Sequence, residues 1–350
     1  MFASHDGLCS IGELAEHAGV TVKTVRFYSD EGLLPEARRS TGGHRRYGPD
    51  ALERLHLIRA LRALDLPVRD VRRVLQQHDV DTAGGPGSVL EDAVAGRLSA
   101  LGTQLTALRW QEAGLHLVQD SPPAELADRL RLLGAISTPP TTDSLVRFWR
   151  GWLPPRMPPR STAAFLAVAV PQPPPDPAPA QALAFARLHA LVSRPCPGAA
   201  QPQPAAHRAT GADGAVLLYE GLAEAYELAG AQMLQGRAPH RGEALDSFVQ
   251  AYVNAYGGRD TPHFRTDLRG QLATDPRIDR YWDLVSETLT PPGACPAPTP
   301  GSAHDWLCAA LDGDDAGITS PGAAAPSSSV HAARRAPRPS EQPRTAPAGR

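Results

Sequence analysis

The sequence predicts a mainly α-helical protein, and three observations support this fold class. Apolar residues recur at helical spacing over most of the chain, and a strand-like pattern is confined to a short stretch near residues 36–47. Segments rich in proline and glycine separate the periodic stretches. We therefore expect a compact head over residues 1–80, a long helix over 86–119, an all-α domain over 120–312 and a disordered Ala/Pro-rich tail over 313–350.

Charge and cysteine content exclude several classes of protein. The formal net charge is −2, so any surface for nucleic acid must be local rather than spread over the chain. The four cysteines are scattered without metal-ligand spacing, which is typical of a reduced intracellular protein and predicts no metal site and no cofactor. No signal core or membrane-length apolar run occurs, so we expect a bacterial cytoplasmic protein associated with the nucleoid and not with a membrane.

The first helices of the head are marked by their caps. Ser10 followed three residues later by Glu13 is a capping box, and Thr21 is a good N-cap for a second helix from Val22 to about Glu31. The tight turn at Gly19 between them predicts a helix-turn-helix. We expect the second helix to bury Val25 and one face of Phe27, leaving on a common outer surface Lys23, Thr24, Arg26 and Tyr28.

A basic hairpin follows the second helix. Gly42 and Gly43 form its turn, and six Lys or Arg residues between Lys23 and Tyr47 outnumber three carboxylates. Guanidinium groups bind phosphate oxygens and release counterions from DNA. The head is therefore predicted to be a winged helix-turn-helix that binds duplex DNA.

These residues resemble the MerR family of regulators over about the first third of the chain. The resemblance rests on the run Val25-Arg26-Phe27-Tyr28, then Gly32-Leu33-Leu34-Pro35, Arg38, Gly43-His44-Arg45 and Tyr47, and on the second helix pair around Pro67. His44 stands where the family commonly has an aromatic residue, usually Tyr. The resemblance implies recognition-helix positions at Thr21, Lys23, Thr24, Arg26 and Tyr28, and phosphate-binding wing positions at Arg38, His44, Arg45 and Tyr47. Arg26 is the best candidate for reading a guanine edge.

The long helix carries a heptad-like apolar seam. We read the seam as an antiparallel coiled coil between two subunits, as the resemblance implies, and a two-fold dimer fits a palindromic operator. The alternative is that the seam packs on the chain's own C-terminal domain. The predicted dimerisation residues are Leu90, Val94, Leu98, Leu101, Leu105 and Leu108, with Leu115 continuing the pattern.

The C-terminal region is predicted to contain about six helices and most of the Trp and Tyr residues. Its rings either form an ordinary core or line a pocket for an organic effector. Glu220, Glu224 and Glu227 either serve a cationic ligand or form a solvated helix face. The candidate effector residues are Trp149, Trp152, Tyr219, Tyr226, Tyr252, Tyr281 and Trp282.

The function predicted from these features is that of a sequence-specific transcription regulator. The resemblance implies a homodimer that distorts double-stranded promoter DNA for RNA polymerase holoenzyme, in response to an organic small molecule. The alternative is a ligand-independent repressor or architectural protein whose C-terminal region binds protein partners. An enzyme is not expected, because no catalytic motif such as G-x-S-x-G, H-E-x-x-H or a P-loop occurs after residue 120.

Overall fold

The computed structural model describes residues 7–80, 87–154, 157–193, 207, 212–272 and 276–316. Within these ranges the chain forms fourteen helices and one three-stranded sheet, which confirms the mainly α-helical prediction. Two compact units are present, one formed by Met1–Pro202 with Asp275–Thr299 and the other by Gln203–Thr274 with Pro300–Arg350. The helical domain predicted over 120–312 is thus divided between the two units. The predicted tail lies outside the described residues, apart from its first four.

The head begins with the two predicted helices, α1 (Ile11–His17) and α2 (Val22–Asp30). The capping box is present, because the Ser10 hydroxyl accepts from the Glu13 amide and the Glu13 carboxylate accepts from the Ser10 amide. The Thr21 hydroxyl accepts from the Thr24 amide at 3.1 Å and so begins α2. Gly19 has a φ of +62°, which allows the sharp turn between the helices.

Helices α3 (Ala51–Ala63) and α4 (Val68–Val80) complete the head. They pack on α1 and α2 around one apolar core, which positions the outer face of α2. The largest fully buried apolar side chains of this core are those of Leu14, Leu33, Leu34, Tyr47, Leu55, Ile58 and Leu66.

The sheet contains β1 (Cys9–Ser10), β2 (Arg38–Arg39) and β3 (Arg45–Tyr47) in the order β1-β3-β2, with both pairs antiparallel. Arg38 pairs with Arg46 across the predicted hairpin, and Cys9 pairs with Tyr47 on the other side. Sequence reasoning missed β1, because a two-residue strand is too short to show alternation.

Helix α5 (Gly87–Gln119) is long and has two different apolar faces. One face packs within the chain, where Trp110, Ala113 and Leu117 are buried and Trp110 contacts the ring of Phe185. The predicted seam lies elsewhere on the helix and is exposed from Leu98 onward, with exposed fractions of 64% at Leu98, 37% at Leu101, 54% at Leu105, 53% at Leu108 and 71% at Leu115. The seam is therefore not covered by the chain's own helices in these described residues, except near Leu90, which packs on the head core.

Helices α6 (Pro123–Gly134), α7 (Asp143–Trp152), α8 (Pro159–Ala169), α9 (Pro179–Ser193) and α13 (Pro276–Leu289) complete the first unit. Helix α9 is the centre of this part, because α5, α6, α7 and α13 all contact it. The Gln181 amide on α9 donates to the backbone carbonyl of Thr288 on α13 at 2.9 Å. The proline-rich connection before α9 is held to α5, since the Trp110 indole donates to the Pro174 carbonyl at 3.0 Å.

The second unit contains α10 (Ala212–Leu234), α11 (Glu243–Tyr256), α12 (Pro262–Gln271) and α14 (Pro300–Ala316). Helices α10 and α11 approach so closely that a Cβ added at Gly221 would lie 2.7 Å from the Cβ of Ala251. The core of the unit includes Leu222, Leu245, Phe248 and Leu307.

Nine helices follow α5 in the described residues, against about six predicted. The unforeseen ones are α8, α12 and α14. Proline stands in the first turn of each, and their apolar residues are either small or widely spaced. Sequence periodicity is weak in such helices, because tertiary packing rather than an amphipathic stripe stabilises them.

Replacing Gly221 by alanine should destabilise the second unit by about 1–3 kcal/mol, because the new methyl group overlaps Ala251 across the helix pair. Hydrogen exchange of peptides from α10 and α11 should become faster. Gly270→Ala on α12 is the matched control, since nothing lies within 4 Å of its added Cβ, and it should leave exchange unchanged or slower. Equal protection in both variants would contradict the close approach of α10 and α11.

Candidate nucleic-acid interface

The outer face of α2 is polar and exposed. Thr21, Lys23 and Arg26 are exposed, and Thr24 is half-buried. Lys23 and Arg26 are one turn apart, so their cationic groups lie on the same side of the helix. The structure therefore brings four of the five predicted recognition positions to one surface.

One of the two rings of α2, that of Tyr28, does not lie where it was expected. Tyr28 is buried, with 9% of its surface exposed, whereas Phe27 is 47% exposed. The expectation that Tyr28 lies on the outer surface is therefore wrong, whereas an exposed fraction of 47% at Phe27 is compatible with the expected burial of one ring face. Val25 and Tyr28 are three positions apart and share the core face, while Phe27 is about 200° around the helix from Val25.

The hairpin between β2 and β3 forms the wing. The Ser40 amide donates to the His44 carbonyl at 2.8 Å, and Gly43 adopts a φ of +79° in the turn. Arg38, Arg39 and His44 are exposed. Two of the four predicted phosphate-binding residues, Arg38 and His44, thus lie on the surface of the wing.

Arg45 joins the wing to the end of α2. Its guanidinium is 2.6 Å from the Asp30 carboxylate and 3.2 Å from that of Glu36, and Glu36 also pairs with Arg39 at 2.9 Å. The hydrogen bond to Asp30 raises the pKa of Arg45 above its usual value. In the free protein Arg45 therefore fixes the hairpin against α2, and part of its charge is already neutralised.

Tyr47 lies in the core rather than on the wing surface, with 0% of its side chain surface exposed. Its hydroxyl is 2.8 Å from the Ser29 hydroxyl on α2. Ser29 in turn donates to the Leu34 carbonyl at 3.1 Å, so Tyr47 is the donor to Ser29. This placement favours a supporting role for Tyr47 instead of the surface position that the resemblance implies.

Three arginines that sequence reasoning did not select hold the backbone around α2. Arg54 donates to the Leu33 carbonyl at 2.6 Å, Arg72 donates to the carbonyl and carboxylate of Glu31, and Arg59 donates to the Ala18 carbonyl. An arginine within an otherwise apolar helix stripe, as in α3, is the sequence signal for such a role.

Helix α5 is attached to the head by an ion pair. Arg97 on α5 contacts the carboxylate of Asp65 at 2.5 Å, in the turn between α3 and α4. Asp65 has a φ of +58°, a conformation that a non-glycine residue rarely adopts. The turn and the helix are therefore held together near the base of the head.

The candidate effector residues do not form one site. Trp149, Trp152, Tyr281 and Trp282 lie together in the first unit, with ring centroids 5.0–5.8 Å from that of Trp149. The first three are buried, and the Tyr281 hydroxyl donates to the Ala169 carbonyl at 2.6 Å. Desolvation raises the pKa of Tyr281. The rings of this cluster therefore pack on one another, and the Tyr281 hydroxyl has a partner within the protein.

The other candidates, Tyr219, Tyr226 and Tyr252, lie beside the buried His207 and the half-buried His304 of the second unit. The His207 ring is 3.3 Å from the Tyr219 hydroxyl and 3.0 Å from that of Tyr252. Tyr226 contacts His304 in the same way at 3.1 Å. Burial lowers the pKa of His207 to about 3 and that of His304 to about 4, so both rings are neutral at ordinary pH.

Neither histidine was selected from the sequence, because their partners are distant in the chain. No group of three or more metal-ligating side chains occurs within the described ranges. Glu220, Glu224 and Glu227 are all exposed, which matches a solvated helix face. In the same ranges no helix has the length and apolarity that a bilayer-spanning segment requires.

The second unit should lose stability as the pH falls below about 6.5. The unfolded histidines protonate near pH 6.5, whereas the folded ones protonate only near 3 and 4, so the unfolded state binds more protons between these values. Each contributes a slope of up to about 1.4 kcal/mol per pH unit. Urea unfolding curves at pH 7.5, 6.0 and 5.0 measure this change in the free energy of unfolding.

Two variants isolate the cause of this pH dependence. His304→Gln should make the dependence shallower. His263→Gln should not, because the His263 side chain is 86% exposed. Identical unfolding midpoints of the wild type at pH 7.5 and 5.0 would show that the two imidazoles are not desolvated.

Comparison with known proteins identifies the head. The model of the family described as "MerR HTH family regulatory protein" matches residues 9–78. The nodulation protein NolA of Bradyrhizobium elkanii is 46% identical over 66 residues, which are 19% of this chain and 30% of NolA. The transcriptional activator TipA of Streptomyces coelicolor is 43% identical over 72 residues, which are 21% of this chain and 28% of TipA.

Among solved structures, the transcription regulator PbrR691 from Ralstonia metallidurans, in complex with lead(II), is 37% identical to this chain. The match covers 32% of this chain and 88% of PbrR691, with a TM-score of 0.29. The chain matches less than a third of the length of NolA and of TipA. The family match and the helix–turn–helix–wing geometry coincide in the same segment. Residues 9–78 of this chain are therefore a helix-turn-helix domain of the MerR family.

Proposed function

We propose that the chain is a sequence-specific transcription regulator of MerR type that binds double-stranded promoter DNA. The observation that carries the proposal is the exposed basic face of α2 beside an arginine-bearing wing, within a domain of the MerR family. Several relatives matched by this domain are regulators by name, among them the activator TipA and the mercuric resistance operon regulatory protein of Bacillus cereus. Their names support regulation of transcription rather than catalysis.

In the proposed complex α2 enters the major groove. A groove of B-DNA admits one helix, and Thr21, Lys23, Thr24 and Arg26 lie on the face that would meet it. Arg26 would pair with a guanine edge. Phe27, which is 47% exposed on the same helix, adds apolar surface suited to a thymine methyl group. Tyr28 would act by packing from within the core.

The wing would bind the phosphate backbone beside the groove. Arg38 and His44 are exposed for this contact, and Arg45 would exchange its carboxylate partners Asp30 and Glu36 for a phosphate. Because Arg45 would give up two ion pairs to make this contact, it would contribute less to the free energy of DNA binding than an arginine without such partners. Tyr47 would hold the wing in place through Ser29.

We also propose a homodimer through α5. The side chains of Leu98, Leu101, Leu105 and Leu108 are all more than one third exposed, and they form a continuous apolar stripe at heptad spacing. Packing against the same stripe of a second chain would bury these leucines. The other two predicted dimerisation residues are less available, because Leu90 packs on the head and Val94 is half-buried. Two heads related by a two-fold axis fit a palindromic operator.

The helical region after α5 is proposed to bind an organic small-molecule effector. Binding of the effector would lead the dimer to distort the promoter, so that RNA polymerase can engage both promoter elements. The two aromatic clusters are the candidate positions, and their rings already contact one another in the free protein, so a ligand would have to replace some of these contacts. A thermal-shift screen of the full-length protein identifies such a ligand, because one at 100 times its Kd stabilises the folded state by about 2.7 kcal/mol.

The DNA-binding proposal is tested by selecting sites from a random duplex pool and measuring affinity at several salt concentrations. Arg26→Ala should reduce the preference for the selected site over a scrambled one by about 5- to 150-fold. Arg45→Ala should weaken binding to both sequences and reduce the salt slope by about 1, because one phosphate contact is lost.

The control is Arg150→Ala, which removes an exposed arginine of α7 and should bind as the wild type does. If wild type and Arg45→Ala bind equally at every salt concentration, the wing does not contact phosphate. Failure to enrich any sequence would overturn sequence-specific binding.

The dimer proposal is tested by sedimentation of a Leu101→Glu/Leu105→Glu variant. Charges at the centre of the seam should leave this variant monomeric at micromolar concentration, where the wild type should be a dimer. Leu234→Glu, at a leucine of α10 that is 73% exposed, controls for the loss of an exposed leucine elsewhere. A monomeric wild type at that concentration would refute the dimer.

A further inference from the structure

The wing has two different faces, because side chains alternate along its strands. Tyr47 on β3 is fully buried, and Arg45 lies two residues before it, on the same face of the sheet. Arg39 on β2 is the partner of Arg45 in the register of the hairpin, so it shares this face. This is the inner face of the wing, which is turned to the core of the head.

The other face, the outer face of the wing, carries two arginines directly across the hairpin. Arg38 on β2 is the register partner of Arg46 on β3. The Cβ atoms of such a pair are about 4.5–5.5 Å apart, so both side chains leave the sheet side by side. Like charges placed directly opposite each other destabilise a sheet. The hairpin therefore contains a repulsion that an anion bound between the two guanidiniums would relieve.

The carboxylates of the head are distributed unequally between the two faces. On the inner face, Glu36 and Asp30 form ion pairs with both arginines. Near the outer face, Glu13 interacts electrostatically with Arg46, but its carboxylate already accepts from the Ser10 amide at 2.7 Å. Arg46 is half-buried, and its guanidinium takes part in no salt bridge or hydrogen bond with the described residues. It is therefore available beside Arg38 for a further partner.

We propose that Arg38 and Arg46 form a phosphate clamp, in which one phosphate group lies between the two guanidiniums. Each guanidinium presents a planar fork of donors that matches the oxygens of a phosphate. The bound negative charge also offsets the repulsion across the hairpin. Arg46 is thereby assigned a phosphate contact in addition to those of the predicted wing residues.

The phosphate has two possible sources with the same chemistry. The main one is the backbone of duplex DNA, and in this respect the clamp rests on the proposed function. The other is a free phosphate ion, which needs no DNA. The experiment therefore has one arm for each source.

The DNA arm compares Arg46→Gln with Arg39→Gln in the full-length protein. Both variants remove one positive charge from the hairpin, but only the first removes a member of the clamp. Arg46→Gln should bind a selected and a scrambled duplex about eightfold more weakly at about 0.1 M salt, and its salt slope should be smaller by about 1. Arg39→Gln should lose about twofold or less, because Glu36 already pairs with Arg39.

The free-phosphate arm uses hydrogen exchange of peptides that cover residues 36–47, without DNA. The full-length protein is measured in sodium phosphate and in sodium chloride of the same ionic strength. Phosphate at its Kd or above should slow exchange in the wing by about twofold or more, because it binds only the folded hairpin. This effect should be lost in Arg46→Gln and kept in Arg39→Gln. Exchange in chloride shows whether the variant hairpins are folded, and Arg38→Gln tests the clamp from β2 if Arg46→Gln is not.

The outcomes separate the clamp from the proposed function. If the wild type selects a DNA site and Arg46→Gln keeps the wild-type salt slope, or if Arg39→Gln loses as much as Arg46→Gln, the clamp is refuted while DNA binding stands. If the wild type binds no duplex but phosphate slows exchange through Arg46, the proposed function fails and the clamp holds a free phosphate. A smaller salt slope in Arg46→Gln without any effect of free phosphate supports the clamp with the DNA backbone as its source.

Discussion

The hydrogen bond between the buried Tyr47 and the half-buried Ser29 fixes the relation between helix α2 and the wing. A buried hydroxyl without a partner costs about 1–3 kcal/mol, so the two elements are held in one arrangement rather than several. The Ser29 hydroxyl also donates to the carbonyl of Leu34. On the surface, the ion pair between Arg45 and Asp30 makes a second connection between the wing and α2. The exposed face of α2 is useful for recognition only because this inner connection determines where the wing stands.

The head was largely predictable from the sequence because its signals are local. The capping box at Ser10, the cap at Thr21 and the glycines of the turns each act over a few residues, and the structure contains them. The burial of Tyr28 shows the limit of this reasoning. Phe27 and Tyr28 are adjacent aromatic residues, and only the position of the remaining core decides which ring is more deeply buried. The strand at Cys9 likewise exists only because the edge of β3 is available to it.

The C-terminal half was less predictable, since its stabilising contacts join distant residues. The rings of Trp149 and Tyr281 are in contact although more than one hundred residues separate them in the sequence. The contact between His207 and Tyr252 likewise joins distant residues, so no local sequence pattern predicts it. Apolar periodicity located most of the helices there, but it did not reveal that the candidate effector rings belong to two separate units. It also did not reveal that α5 uses Trp110 for internal packing and leaves its leucine seam exposed.

Helix α5 is tied at two points along one uninterrupted element, at Arg97 to the turn of the head and at Trp110 to α9 and the proline-rich connection. Thirteen residues separate these points, a length of about 20 Å in an α-helix. Both contacts are made by the same helix, so the turn that contains Asp65 and the α9 side of Trp110 are joined through one element. The distance between the base of the head and the α9 bundle is thus set by the length of one helix.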